Sequence, residues 1–293
     1  MDRSTIEAGY RSLQDQFCAA IEGVDGTAPF RRDHWERPGG GGGETRVLEG
    51  HGTIEKAAVN VSAVWGDMPS QVAGRMAAAG DRFFATGISI IVHPANPHAP
   101  AFHANLRYFE LDGDTAWFGG GSDLTPCYLY EEDARHFHGT LQAACDRHDV
   151  ADYAAWKRWC DEYFFLPHRG EARGIGGVFF DHLIERLPEV WVFQQDLGSH
   201  LSDAYIPILE RRSAAGFSGE QRSWQELRRG RYAEFNLVWD RGTRFGLETG
   251  GRVESILASL PPRARWAYDA EPAEGTPEAA LLELVRGPAR SWA

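Results

Sequence analysis

The sequence predicts an α+β fold: one domain over residues 1–293, built on a large, mainly antiparallel β-sheet sandwiched between α-helices. Three observations predict it. Segments that alternate polar and apolar residues gather at 45–65, 82–93 and 102–110, joined by turns. Helix-like segments dominate from 131 onward, so regular strand–helix–strand units are absent. No repeat and no shift in composition marks a linker.

Along the chain, residues 4–22 set Ile6, Leu13, Phe17, Ala20 and Ile21 near helical spacing and predict an amphipathic helix. Residues 30–37 mix aromatics with charge and predict a first strand. Pro38 and the glycines at 39–43 predict a mobile loop, a lid or hinge, because the run lacks the Lys-Ser/Thr of a nucleotide loop. Residues 45–65 predict two strands, with Val59, Val61, Ala63 and Trp65 alternating with Asn60, Ser62 and Val64. The strand at 82–93 stops at Pro94 and keeps Ser89, Ile91 and His93 on one face. The strand at 102–110 closes a hairpin through a turn at 112–114. Helices follow at 131–149 and 152–166, a short buried strand at 174–180, and helices at 189–212 and 220–229. Residues 232–240 alternate again and predict a strand. Tyr232, Glu234, Asn236 and Asp240 form its polar row; Ala233, Phe235, Leu237 and Trp239 form its apolar row. A short strand at 266–268 and a last helix at 277–286 end the chain.

The composition, 43% hydrophobic with ten tryptophans, is globular rather than disordered. A net charge of −12 argues against a nucleic-acid partner. No apolar run reaches the roughly 20 residues that span a bilayer. The first residues, MDRSTIEAGY, have neither signal nor transit character, and the four cysteines are scattered. The expectation is a cytoplasmic protein with reduced thiols. Only Lys56 and Lys157 are lysines, so nearly every cation is an arginine fork suited to carboxylates.

Two stretches carry chemistry. His103, Asn105 and Arg107 share one strand face, a row able to supply a proton and orient a carboxylate. Further on, Asp240 stands beside two glycine turns, at Gly242 and at Gly250-Gly251, with Arg241, Arg244 and Arg252 close by. Asp240 could serve as a base or as an acceptor for a ring N–H, and an exposed polar sheet face or solvated hairpin fits the same spacing. His93 and His103 are ten residues apart, a weak pattern for a two-histidine metal site. His136 and His138, two apart on a helix, point to different sides. There is no Walker loop, dinucleotide fingerprint, GxSxG elbow or HExxH. The residues alone describe an arginine-rich, glycine-bent cleft for an anionic, flat ligand.

Five long segments carry a resemblance: GGGGGETRVLEG, VHPANPHAPAFHANLRYFE, WFGGGSDLTPCYLYEEDARHFH, KRWCDEYFFLPHRGEARGIGG and YAEFNLVWDRGTRFGLETGGRVESILASLPP. Through them the chain resembles the oxygen-dependent coproporphyrinogen III oxidase family over nearly its whole length. It departs at His182, where an acidic residue is expected. The resemblance implies oxidative decarboxylation of two propionates of coproporphyrinogen III to vinyl groups, giving protoporphyrinogen IX in haem biosynthesis. Molecular oxygen is then the co-substrate, with no organic cofactor. It implies His103 as proton donor and Ser89, Asn105, Leu106, Arg107, Gly250, Gly251 and Arg252 as substrate-binding residues. It also implies His93, His103, His138 and His168 as ligands of a divalent metal, and a homodimer formed through 232–267.

Overall fold

The computed structural model describes residues 2–50, 52–67, 82–112 and 115–293. The main sheet contains β1 (Arg31–Glu36), β2 (Gly41–Glu49), β3 (Ile54–Asp67), β4 (Arg82–Pro94), β5 (Ala101–Leu111), β6 (Thr115–Thr125) and β9 (Gly177–Leu183). They lie in the order β1-β2-β3-β4-β5-β6-β9, with every neighbouring pair antiparallel. A two-stranded ribbon, β7 (Phe165–Leu166) with β8 (Glu171–Ala172), stands apart. The α+β expectation holds.

Period-two alternation gives the sheet two unlike faces. Val59, Val61, Ile88, Ile90, Ala104 and Leu106 are buried on the apolar face. Against them pack α1 (Arg3–Asp25), α2 (Glu131–Cys145), α4 (Leu187–Ser199) and α5 (Leu201–Ser213), forming one core. Helix α1 starts where the Asp2 carboxylate accepts from the Ser4 and Thr5 amides and ends at left-handed Gly26. Its Ile6, Tyr10, Leu13, Phe17 and Ile21 form the stripe that meets the sheet. The predicted helix at 189–212 is two helices. Ser199 and the His200 ring both bind the Asp196 carbonyl at 2.8 Å and end α4 there.

The other face is polar along its centre. One cross-strand row runs Thr45, Asn60, Ser89, Asn105, Gly121 and Phe179; the next runs Ala58, Ile91, His103, Asp123 and Gly177. The elements above it are α6 (Gly219–Glu234), a π-helical turn (Phe235–Trp239), α7 (Arg241–Glu248) and α8 (Val253–Leu257). Helix α8 docks through polar groups: Ser255 Oγ lies 2.6 Å from Thr45 Oγ1, and Asn60 donates to the Ser255 carbonyl at 3.0 Å. Helix α3 (Tyr153–Tyr163) lies along the β9 edge, and α9 (Pro277–Arg286) follows the C-terminal extended segment.

Three further expectations fail. The glycines at 41–43 are part of β2, and only 38–40 turn, so the run is a hairpin rather than a lid. The alternation at 232–240 belongs to the end of α6 and the π-turn, not to a strand. Residues 266–268 form no strand, and Tyr268 is fully exposed. Strand β5 pairs with β6, and 113–114 of the turn expected at 112–114 lie outside the described residues.

Candidate active site

The polar face of β5 builds the site. His103, Asn105 and Arg107 project from it because Ala104 and Leu106 between them are drawn into the core. Ser89, half-buried, stands directly across from Asn105 on β4. Leu106 is 1% exposed, so its side chain faces away from the cleft and cannot touch a ligand there.

Opposite His103 on β6 lies Asp123, 1% exposed, whose Oδ1 is 2.7 Å from His103 Nδ1. An ionised carboxylate only accepts, so Nδ1 carries the proton and Nε2 is left toward the cleft. Nε2 has no partner among the described residues. Arg173, buried, donates to both Asp123 oxygens at 2.7 Å and to Asn236 Oδ1 at 2.9 Å. Its guanidinium is 4.0 Å from the Phe164 ring centre and 4.8 Å from that of Phe235. Burial would raise the Asp123 carboxyl, but the charges and hydrogen bonds of Arg173 and His103 outweigh it and hold it below its ordinary value. The ring is thus held in one orientation, with a proton on Nδ1, by an ionised partner.

Asp240 ends the π-turn and caps α7. Its Oδ1 accepts from Tyr163 Oη at 2.8 Å and from the Gly242 amide at 3.4 Å. Its Oδ2 accepts from the Thr243 amide at 2.9 Å and the Thr243 hydroxyl at 2.8 Å. Burial opposes ionisation here too. The Thr243 and Tyr163 hydrogen bonds and the charge of His103 prevail, and the carboxyl is held below the usual range. The described contacts make Asp240 a caged anion rather than a ready base.

Two arginines flank this centre, each beside a resident carboxylate. Arg107 Nη2 is 2.8 Å from Asp181 Oδ2 on β9. Arg252, just before α8, pairs with Asp33 on β1. Gly250, at φ 69°, supplies the left-handed turn that brings Arg252 back to the sheet. Ser89, Asn105, Arg107, His103 and Asp240 therefore share one region, with the 250–252 turn on the same face toward β1.

The four-histidine metal set is not assembled. His93 Nε2 is 3.0 Å from the Ser259 carbonyl, with its ring edge-on to Tyr232. His138 is bonded to Tyr153 Oη at 2.8 Å and the Ile175 carbonyl at 3.1 Å, on the sheet's other side among core residues. His168 binds Glu234 at 2.7 Å and accepts from Trp239 at 2.9 Å. Each ring is committed to a separate partner. Among the described residues no group of three or more His, Cys, Asp or Glu side chains is placed to hold a metal. The donor set does not fit the ion.

Arg173, Tyr163, Thr243, Asp181 and Asp123 are site residues that the sequence pattern does not single out. Their signal is tertiary: each matters because of a partner at least three residues away in another turn or strand. Asp123 alone was recoverable, since hairpin register places it opposite His103.

Residues 5–292 match the family model described as coproporphyrinogen III oxidase. The chain is 48% identical over 306 aligned positions to coproporphyrinogen-III oxidase 1, chloroplastic, of Arabidopsis thaliana, covering 99% of this chain and 79% of that one. It is 48% identical to the oxygen-dependent coproporphyrinogen-III oxidase, chloroplastic, of Glycine max, with the same coverage. The corresponding Nicotiana tabacum protein is also 48% identical, covering 99% and 77%. All three relatives are named chloroplastic, which overturns the cytoplasmic expectation. Four buried free cysteines suit any reducing compartment, so that pattern never distinguished them. With the family model matched almost end to end and nearly half the residues shared with these enzymes, the chain belongs to the coproporphyrinogen III oxidase family.

Proposed function

We propose that this cleft binds coproporphyrinogen III and, with dioxygen as electron acceptor, converts two of its propionates to vinyl groups, yielding protoporphyrinogen IX for haem synthesis. Each conversion releases carbon dioxide and removes a hydride equivalent from the β-carbon; dioxygen takes the electrons. The observation that carries the reading is the caged Asp240 anion next to the Asp123-held His103, with Arg107 on the same face. A fixed negative charge favours electron loss from a pyrrole ring, because positive charge that develops there meets a preorganised counter-ion. His103 Nε2 is the proton-handling atom, kept in register by Asp123. Arg107, Arg252 and the Gly250-Gly251 turn anchor propionates, and Ser89 and Asn105 complete the polar floor. Purified protein given coproporphyrinogen III in air is expected to release two carbon dioxide molecules per vinyl-bearing product. Under anaerobic conditions both signals should vanish; unchanged anaerobic turnover, or binding without carbon dioxide release, would overturn the reading.

The same reading includes a homodimer. Leu237, Val238, Trp239, Val253 and Trp266 are each exposed by 41–55%, and all lie in the expected 232–267 segment. Large exposed apolar side chains in one segment suit a partner surface. Leu237 and Trp239, expected on the apolar row of a strand that packs or dimerises, are exposed on the π-turn. Val238→Asp is expected to convert a dimer to monomer in sedimentation velocity without lowering helix content, whereas an unshifted sedimentation coefficient would remove Val238 from the interface.

A further inference from the structure

Strand β9 is not regular beside Arg107. Phe118 of β6 pairs with Leu183, yet Gly120 pairs with Phe180, so two steps on β6 oppose three on β9. The extra residue is absorbed at His182, whose φ of 55° is left-handed. As a result Phe180 and Leu183 both pack toward the main core, while Asp181 and His182 both turn to the polar face. His182 lies against the Trp117 ring, with centroids 5.1 Å apart, and its amide donates to Asp181 Oδ1 at 2.9 Å. Asp181 Oδ2 takes one Arg107 nitrogen at 2.8 Å. The Arg107 side chain reaches it by crossing Gly119, where a Cβ would come within 2.9 Å of Arg107 Nε and would strike Asp181. Bulge, glycine and carboxylate together hold the guanidinium beside Gly119 and Asp181. They engage Nη2 alone and leave Nε and Nη1 without a partner among the described residues.

We infer that Asp181 is a positioning residue for substrate binding: it presents the free edge of Arg107 to one propionate, and the bulge at His182 exists to aim it. This rests on the porphyrinogen reading above. The pair is about one-third exposed on each side, so its direct worth to folding is small. Its effect is to remove rotamer freedom from Arg107 before the ligand arrives.

The test is a double-mutant cycle on the whole enzyme with coproporphyrinogen III. Asp181→Asn is expected to raise KM about three- to tenfold while kcat changes by less than about twofold. In an Arg107→Ala background the same substitution should have no further effect, because no guanidinium remains to position. An additive loss in the double variant, a fall in kcat alone, or a lower KM from removing a competing carboxylate would each overturn the inference. If Arg107→Ala itself leaves KM unchanged, the propionate-anchor reading of Arg107 fails instead. Melting temperatures of all variants, expected to stay close to the parent's, separate these outcomes from misfolding.

Discussion

Asp240→Asn is expected to lower kcat by about a hundredfold or more, with KM within a few-fold and the fold intact. The substitution separates two duties of one side chain. Asp240 caps α7 through the Thr243 and Gly242 amides, and asparagine is an equally good cap. It removes the negative charge that Tyr163, Thr243 and His103 favour in a desolvated setting, and it turns one of the two accepting oxygens into a donor. Steady-state kinetics with coproporphyrinogen III, alongside a thermal melt, checks this. Equal losses in kcat and affinity would assign Asp240 to binding. Asp240→Ala should add about 1 kcal/mol of destabilisation from the lost cap, which shows why asparagine is the informative variant.

The second large effect is on stability against pH. His93 and His138 are both 0% exposed, and burial drives each down to about 3, helped by the Arg229 charge for His93 and the Lys157 charge for His138. In the unfolded chain each titrates near 6.5. Between those values the unfolded state binds protons that the folded state refuses, so stability falls as pH falls below 6.5. The two sites together cost about 4 kcal/mol between pH 7 and pH 5. Glu234 does not confuse this window. Its burial is outweighed by hydrogen bonds from Arg169, His168 and Trp266, and it is held at about 2, so its contribution is lost only as pH drops below 4.5. Urea unfolding at pH 7 and 5 is the measurement. His138→Gln or His93→Gln should each remove about half of the difference. A flat profile in the parent would contradict the neutral, buried state assigned to both rings.

Much of the site was legible because it is carried on strands. At period two, any reader of 102–110 finds His103, Asn105 and Arg107 on one face and Leu106 on the other, and the structure keeps that split. Only the resemblance placed Leu106 in the site, and its side chain is buried on the apolar face. The stretch 232–240 misled for a physical reason. Tyr232, Phe235, Val238 and Trp239 are strand-favouring types in a run too short to separate the two periods. The deciding signal lay upstream, in the Ser218–Gln221 capping box that starts α6 and leaves nothing but Gly230 to interrupt it before 234. Arg173 was illegible at any period, since its importance comes from Asp123 and Asn236, 50 and 63 residues away.

The π-turn at 235–239 acts as a phase slip. The Asp240 amide reaches back five residues to the Phe235 carbonyl at 2.9 Å, where an α-helix would reach four. One residue amounts to about 100° of rotation around a helix axis. Deleting a single residue from 235–239 would restore an ordinary helical ladder, and with it rotate Asp240 out of reach of Tyr163. Insertions and deletions in this turn should therefore act as on–off changes to the anion site, whereas substitutions within it only tune the site.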